Sequence, residues 1–213
     1  MIETDNKHLV RVVSSAEQVT STTLLGVCTS LKPARGVESS SATRSCLNYS
    51  LQAVAAVYPD TYLLDLRDHT LPFFDGRMPH EYQCADLEFV RSCIDQSGAL
   101  LLSIPAYWSG VSGVFKNFVD TLCGPAYDLD GLAQTVFTNK PVGLLIVGAD
   151  LASTETGVAH ARQIMSSTGA VIAADPVAVA NPRAGRLDAE SLSRELVLLG
   201  AQLAQHAFKA KKK

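Results

Sequence analysis

The feature that most constrains this chain is an alternation. Short apolar runs recur at Leu24–Cys28, Thr61–Leu66, Ala99–Ile104, Val142–Val147 and finally Ala170–Ala173 with Val177–Ala180. They are apolar along their length rather than at every second residue, which is the pattern of strands covered on both faces. Between them apolar residues return at helical spacing: Leu47, Leu51, Val54 and Val57; Leu87, Val90 and Ile94; Val114, Phe118 and Leu122; the stretch Val158–Ser167; and Leu192, Leu196, Leu199 and Leu203. Strand-then-helix repetition requires crossover connections and therefore parallel pairing. Right-handed crossovers then give a three-layer, doubly wound α/β fold around a five-stranded parallel sheet.

The boundaries follow from the same pattern. Residues 1–21 are largely polar, with an apolar cluster at Leu9, Val10, Val12 and Val13, and read as an N-terminal extension, partly mobile, with room for one added strand. Residues 22–209 form the domain, and 210–213 close the chain as a basic tail. With 213 residues there is enough chain for one full core. The net charge of −3 offers no attraction to nucleic acid. No apolar run approaches the length that crosses a bilayer. The polar, acidic first residues do not resemble a signal peptide. The five cysteines are an odd number with no Cys-x-x-Cys pair, as expected in a reducing compartment. The expectation is a cytoplasmic protein. Its histidines (8, 69, 80, 160 and 206) lack metal-ligand spacing, and Asp65, Asp68 and Asp75 read as solvated loop acids, so no metal site is expected.

Three loops carry candidate chemistry, each at the carboxyl end of a strand, where open α/β sheets bind ligands. The first, residues 29–44, holds Ser30, Ser39, Ser41 and Thr43 with Lys32, Arg35 and Arg44, just ahead of a helix. Hydroxyls, cations and the free N–H groups of a helix start suit a phosphate, and Ala42 lies at that start. A serine-rich surface loop with an N-cap would read the same way. There is no Gly-x-Gly-x-x-Gly and no Gly-Lys-Ser/Thr, which argues against a Rossmann NAD site or a P-loop. The second, Pro105–Gly113, ends a strand at Pro105; Ala106, Ser109 and Gly110 allow close approach, and Tyr107 and Trp108 can border a flat ring or pack on a neighbouring subunit. The third, Gly148, Ala149 and Asp150, supplies a wall of small residues or a plain turn. Hydroxyls with cations, then aromatics, then small residues suit a phosphorylated planar cofactor. Lys116 and Asp120 are four apart on a helix and read as an ion pair.

These segments resemble the NADPH-dependent FMN reductases, a flavodoxin-like family. That family reads Gly-Ser-Leu-Arg and then Ser-x-Asn or Ser-x-Thr in its first loop, where this chain has Thr29-Ser30-Leu31-Lys32 and Ser41-Ala42-Thr43. Its second motif, from Pro-Glu-Tyr-Asn to Lys-Asn, aligns without a gap on Pro105 to Asn117. The departures are Lys32 for arginine, a longer loop between Lys32 and Ser41, Trp108 for asparagine, and Asp150 for a common glycine. Lysine cannot make arginine's two-pronged contact with a phosphate.

The resemblance implies bound FMN, its phosphate on Ser30, Ser41, Thr43 and nearby N–H groups, its ring along Pro105–Trp108 with Gly148–Asp150 below. It implies hydride delivery from NADPH or NADH, then electron transfer to a small acceptor such as a flavin or quinone, with no catalytic side chain required. It also implies a homodimer or homotetramer. A flavodoxin-type electron carrier or a non-catalytic FMN-binding partner protein is the alternative expectation.

Overall fold

The computed structural model describes residues 10–32, 41–125, 135–181 and 190–210. Strands β1 (Arg11–Val12), β2 (Leu24–Cys28), β3 (Thr61–Asp65), β4 (Ala99–Tyr107), β5 (Gly110–Val111), β6 (Pro141–Gly148), β7 (Val171–Ile172) and β8 (Val177–Ala180) alternate with helices α1 (Ala42–Ala55), α2 (Ala85–Gln96), α3 (Gly113–Cys123), α4 (Leu151–Ser167) and α5 (Glu190–Ala210). The sheet runs β1-β3-β2-β4-β6, and β7 and β8 both pair with β6. All these pairings are parallel; only the short β4–β5 hairpin is antiparallel. The five expected runs are therefore the core of the sheet, in flavodoxin-like order, with the last run broken into β7 and β8.

The extra strand β1 lies at the edge beside β3, and Val13 and Val19 of the same segment are buried in the core. Two apolar layers flank the sheet. Leu87, Val90 and Ile94 of α2, Phe115, Phe118 and Leu122 of α3 and Met165 of α4 pack on one face. Leu47, Leu51 and Val54 of α1 pack with Leu196, Leu199 and Leu203 of α5 on the other. This is the doubly wound arrangement. Two strand glycines let α1 and α5 sit close. A Cβ on Gly26 would stand 2.4 Å from Leu51 Cδ1, and one on Gly143 would stand 2.4 Å from Leu203 Cδ1.

Four local expectations are corrected. Pro105 does not end β4, which continues to Tyr107. Ser103 O accepts from Thr29 N and Pro105 O from Ser112 N, so these residues turn their backbone groups to the side where β2 has already stopped at Cys28. A missing N–H there breaks no ladder. The sequence pattern over Val111–Leu122 predicts one helix, but α3 starts at Gly113, because Val111 belongs to the hairpin and Ser112 Oγ caps the helix by accepting from Phe115 N at 3.2 Å. Helix α4 starts at Leu151, well before Val158, because Asp150 caps it. Val57 lies past the end of α1 and is exposed rather than on its apolar stripe.

Candidate functional site

β2 and β4 are adjacent, yet their following helices cover opposite faces of the sheet, so their outgoing loops diverge and open a crevice at the carboxyl edge. That crevice is a cleft of about 350 Å³ lined by Ser30, Lys32, Ser41, Ala42, Thr43, Pro105, Ala106, Tyr107, Val147, Gly148, Ala149 and Asn181. Its volume lies within the usual range for small-molecule sites. All three expected loops contribute to it.

One end is built from hydroxyls. Ser41 is the N-cap of α1: its Oγ accepts from Arg44 N at 3.4 Å and donates to Ser30 Oγ at 2.9 Å. Ser30 Oγ also accepts from Lys32 N at 3.4 Å. With its acceptor sites engaged in this way, Ser30 keeps its own proton to donate into the cleft. Thr43 stands in the first turn, where helical N–H groups precede the hydrogen-bond ladder. Its main chain is fixed from behind, since Ser103 Oγ donates to Thr43 O at 2.9 Å. Lys32 is half-buried and is the one cation among the described lining residues, which include no carboxylate. The other end is formed by the Pro105–Tyr107 backbone opposite Gly148 and Ala149. At Gly148 a Cβ would come within 2.8 Å of Thr154 Cγ2, so glycine fits there.

Two expected residues do not line the cleft, and a third, Ser39, lies outside the described residues, as does Arg35. Trp108 is fully exposed. With Ser109 it forms the two-residue turn of the β4–β5 hairpin, at φ +50° and +57°, and this left-handed geometry turns its ring to solvent. Asp150 spends its carboxylate on α4: Oδ1 accepts from Ser153 N at 2.8 Å and Oδ2 from Ser153 Oγ at 2.9 Å. These bonds, the backbone one first, hold its pKa below the usual carboxylate range.

Arg44 is also redirected. It stands beside the hydroxyl cluster, but Nη2 donates to Asp65 Oδ1 at 2.9 Å and to Ser30 O at 3.0 Å, and Nε pairs with Asp65 Oδ2. The bond to Asp65 raises the guanidinium pKa further. Lys116 makes the expected pair with Asp120, at 2.6 Å, away from the cleft.

Val147 and Asn181 line the cleft without belonging to any of the three loops read from the sequence. Asn181 adopts φ +47° at the end of β8, and its N–H donates to Gly148 O at 2.9 Å. An asparagine followed by proline after a β-branched run is a turn signal that could have marked it, given that the last strand opens on the same edge.

A profile of the NADPH-dependent FMN reductase family matches residues 22–184. The chain belongs to that family. FMN and NAD(P)H are accordingly the cofactors of this FMN reductase family member. Solved structures share its fold. FerB, a flavoenzyme NAD(P)H:(acceptor) oxidoreductase from Paracoccus denitrificans, superposes with a TM-score of 0.64 at 18% identity, covering 88% of this chain and 98% of that one. An oxidoreductase from Corynebacterium diphtheriae gives 0.64 at 16% identity, over 88% and 97%. The NADH:FMN oxidoreductase EMOB in its apo form gives 0.63 at 14%, over 88% and 89%.

The donor set of the cleft suits FMN. Neutral hydroxyls, helix-start amides and one ammonium at one end, with no carboxylate among the described lining residues, accommodate a phosphate. Backbone and small side chains at the other leave room for a ring.

Proposed function

We propose that this protein is an FMN-dependent NAD(P)H oxidoreductase that passes electrons to a small acceptor such as a flavin or quinone. The observation that carries this is the convergence of the three loops on one cleft, with hydroxyls and a lysine at one end and small side chains at the other. In this reading the Ser30 and Thr43 hydroxyls and Lys32 hold the phosphate, Ser41 sets the Ser30 hydroxyl, and Pro105, Ala106 and Tyr107 face the ring opposite Gly148 and Ala149. Bound FMN supplies the hydride and electron chemistry. The chain's contribution is to bind, to orient and to leave one side open. FerB, a flavoenzyme with an NAD(P)H donor and an unspecified acceptor, supports the same reading.

A second copy of the chain belongs to the proposal. Leu31, Phe73, Tyr107 and Trp108 are exposed apolar residues, and Leu31 and Phe73 also rim an apolar cavity of about 300 Å³ with Leu66, Leu71 and Val114. Burying exposed apolar residues of this kind against a second copy would give an isologous dimer. All five cysteines are free, and no helix among the described residues is long and apolar enough to cross a membrane. The free thiols support a cytoplasmic location.

The test is anaerobic titration of the FMN-loaded protein with NADPH and NADH, followed by addition of acceptor. Bleaching of the flavin band and its return with a quinone or free FMN are expected. A band that neither nucleotide bleaches would refute the enzyme reading.

A further inference from the structure

We propose that Arg44 is a positioning residue that makes the cleft selective for a phosphorylated flavin, acting through Ser30 without touching the ligand. The inference rests on the phosphate-end assignment above.

The geometry is specific. Arg44 stands in the first turn of α1, its side chain is 13% exposed, and its Nε and Nη2 donate to the Ser30 carbonyl and to both oxygens of Asp65. Asp65 ends β3 directly opposite Cys28, the last residue of β2, and its side chain is 4% exposed. It is further fixed by Arg67, whose N–H donates to Oδ1 at 3.1 Å and whose Nη2 stands 3.5 Å from Oδ2. Asp65 is thus an anchor on the neighbouring strand, and Arg44 ties the loop after β2 to it.

The consequence falls on Ser30. A carbonyl oxygen turned into an anion site repels the ligand. Arg44 instead holds the Ser30 carbonyl against a guanidinium. Because the peptide is planar and trans, this also orients the Leu31 N–H to the opposite side. Meanwhile Ser41 Oγ and Lys32 N occupy the acceptor sites of Ser30 Oγ. Backbone and hydroxyl of Ser30 are therefore fixed before a ligand arrives, and preorganised donors bind more tightly because less order is lost on binding. A fork with three acceptors requires arginine; a lysine ammonium reaches one anchor at a time.

The experiment compares FMN with riboflavin, which lacks the phosphate, by titrating flavin-free protein and following flavin fluorescence. The variants are Arg44→Lys, which keeps the charge, and the double change Arg44→Met with Asp65→Asn, which removes both charges and leaves net charge unaltered. Thermal unfolding without flavin is recorded in parallel. Each variant is expected to bind FMN roughly tenfold more weakly while riboflavin affinity stays within about twofold. Arg44→Lys restoring full FMN affinity would overturn the inference, because charge rather than positioning would then suffice. So would equal weakening of both flavins, or no change in either. A wild-type chain that holds FMN no more tightly than riboflavin would overturn the phosphate-end assignment itself, and that result is visible before any variant is made.

Discussion

Replacing Thr43 with valine isolates one of the proposed phosphate contacts. Thr43 is 4% exposed and lines the cleft, its backbone is held by Ser103, and it does not cap α1. Valine has the same branching at Cβ, so the first turn keeps its geometry and only the hydroxyl becomes a methyl. A hydrogen bond to a charged group contributes about 1.5–3 kcal/mol. FMN affinity should therefore fall by roughly ten- to 150-fold. Riboflavin affinity should hold, and so should the unfolding temperature. Ser41→Ala is the contrasting case. It removes the N-cap of α1 and the hydroxyl that donates to Ser30, so it should weaken FMN binding and also cost about 0.5–2 kcal/mol of stability. Calorimetric titration of flavin-free protein with each flavin, beside thermal melts, reads both quantities. Unchanged FMN affinity in Thr43→Val, or an equal loss for riboflavin, would refute the assignment of this end of the cleft to the phosphate.

Two further outcomes are expected. The Asp150 carboxylate has a folded-state pKa depressed by Ser153, so its contribution to stability is present above the ordinary carboxylate pKa and is lost as pH falls through the depressed one. Asp150→Asn, which keeps a capping oxygen, should be less stable than wild type at neutral pH and converge with it in acid, as read from denaturant midpoints across pH; a constant difference would contradict this. Trp108 is the only tryptophan in the chain, so intrinsic fluorescence reports on it alone. Its emission should shift to the blue as protein concentration rises through the dimerisation range measured by sedimentation, whereas a dimer with water-like emission would remove Trp108 from the interface.

How far the sequence carried the structure depended on range. The buried runs at β2, β4 and β6 were legible because a strand covered on both faces has no polar side to hide. Loops leaving parallel strands then share one edge of the sheet, which is why Ser30, Tyr107 and Gly148 could be grouped. The place of Trp108 was not legible, because a tryptophan and a serine in a left-handed turn carry no local signal, unlike Asn-Gly. Asp150 looks like a substituted loop glycine, although Asp-Leu-Ala-Ser is also a helix start, and only the fold chooses between them. Arg44 stands among hydroxyls and reads as an anion ligand. Its true partner, Asp65, lies 21 residues away and meets it only through the β2–β3 register. Asn181 needed the pairing of β8 with β6 before it could be placed beside Gly148.

On the proposed function one bound FMN spans the three loops, and a crystal structure of the protein grown with FMN shows whether it does. The phosphate is predicted within hydrogen-bond reach of Ser30 and Thr43, with the ring against Pro105–Tyr107 and beside Gly148. Electron density for FMN elsewhere on the chain, or with its ring at the hydroxyl end, would contradict the account.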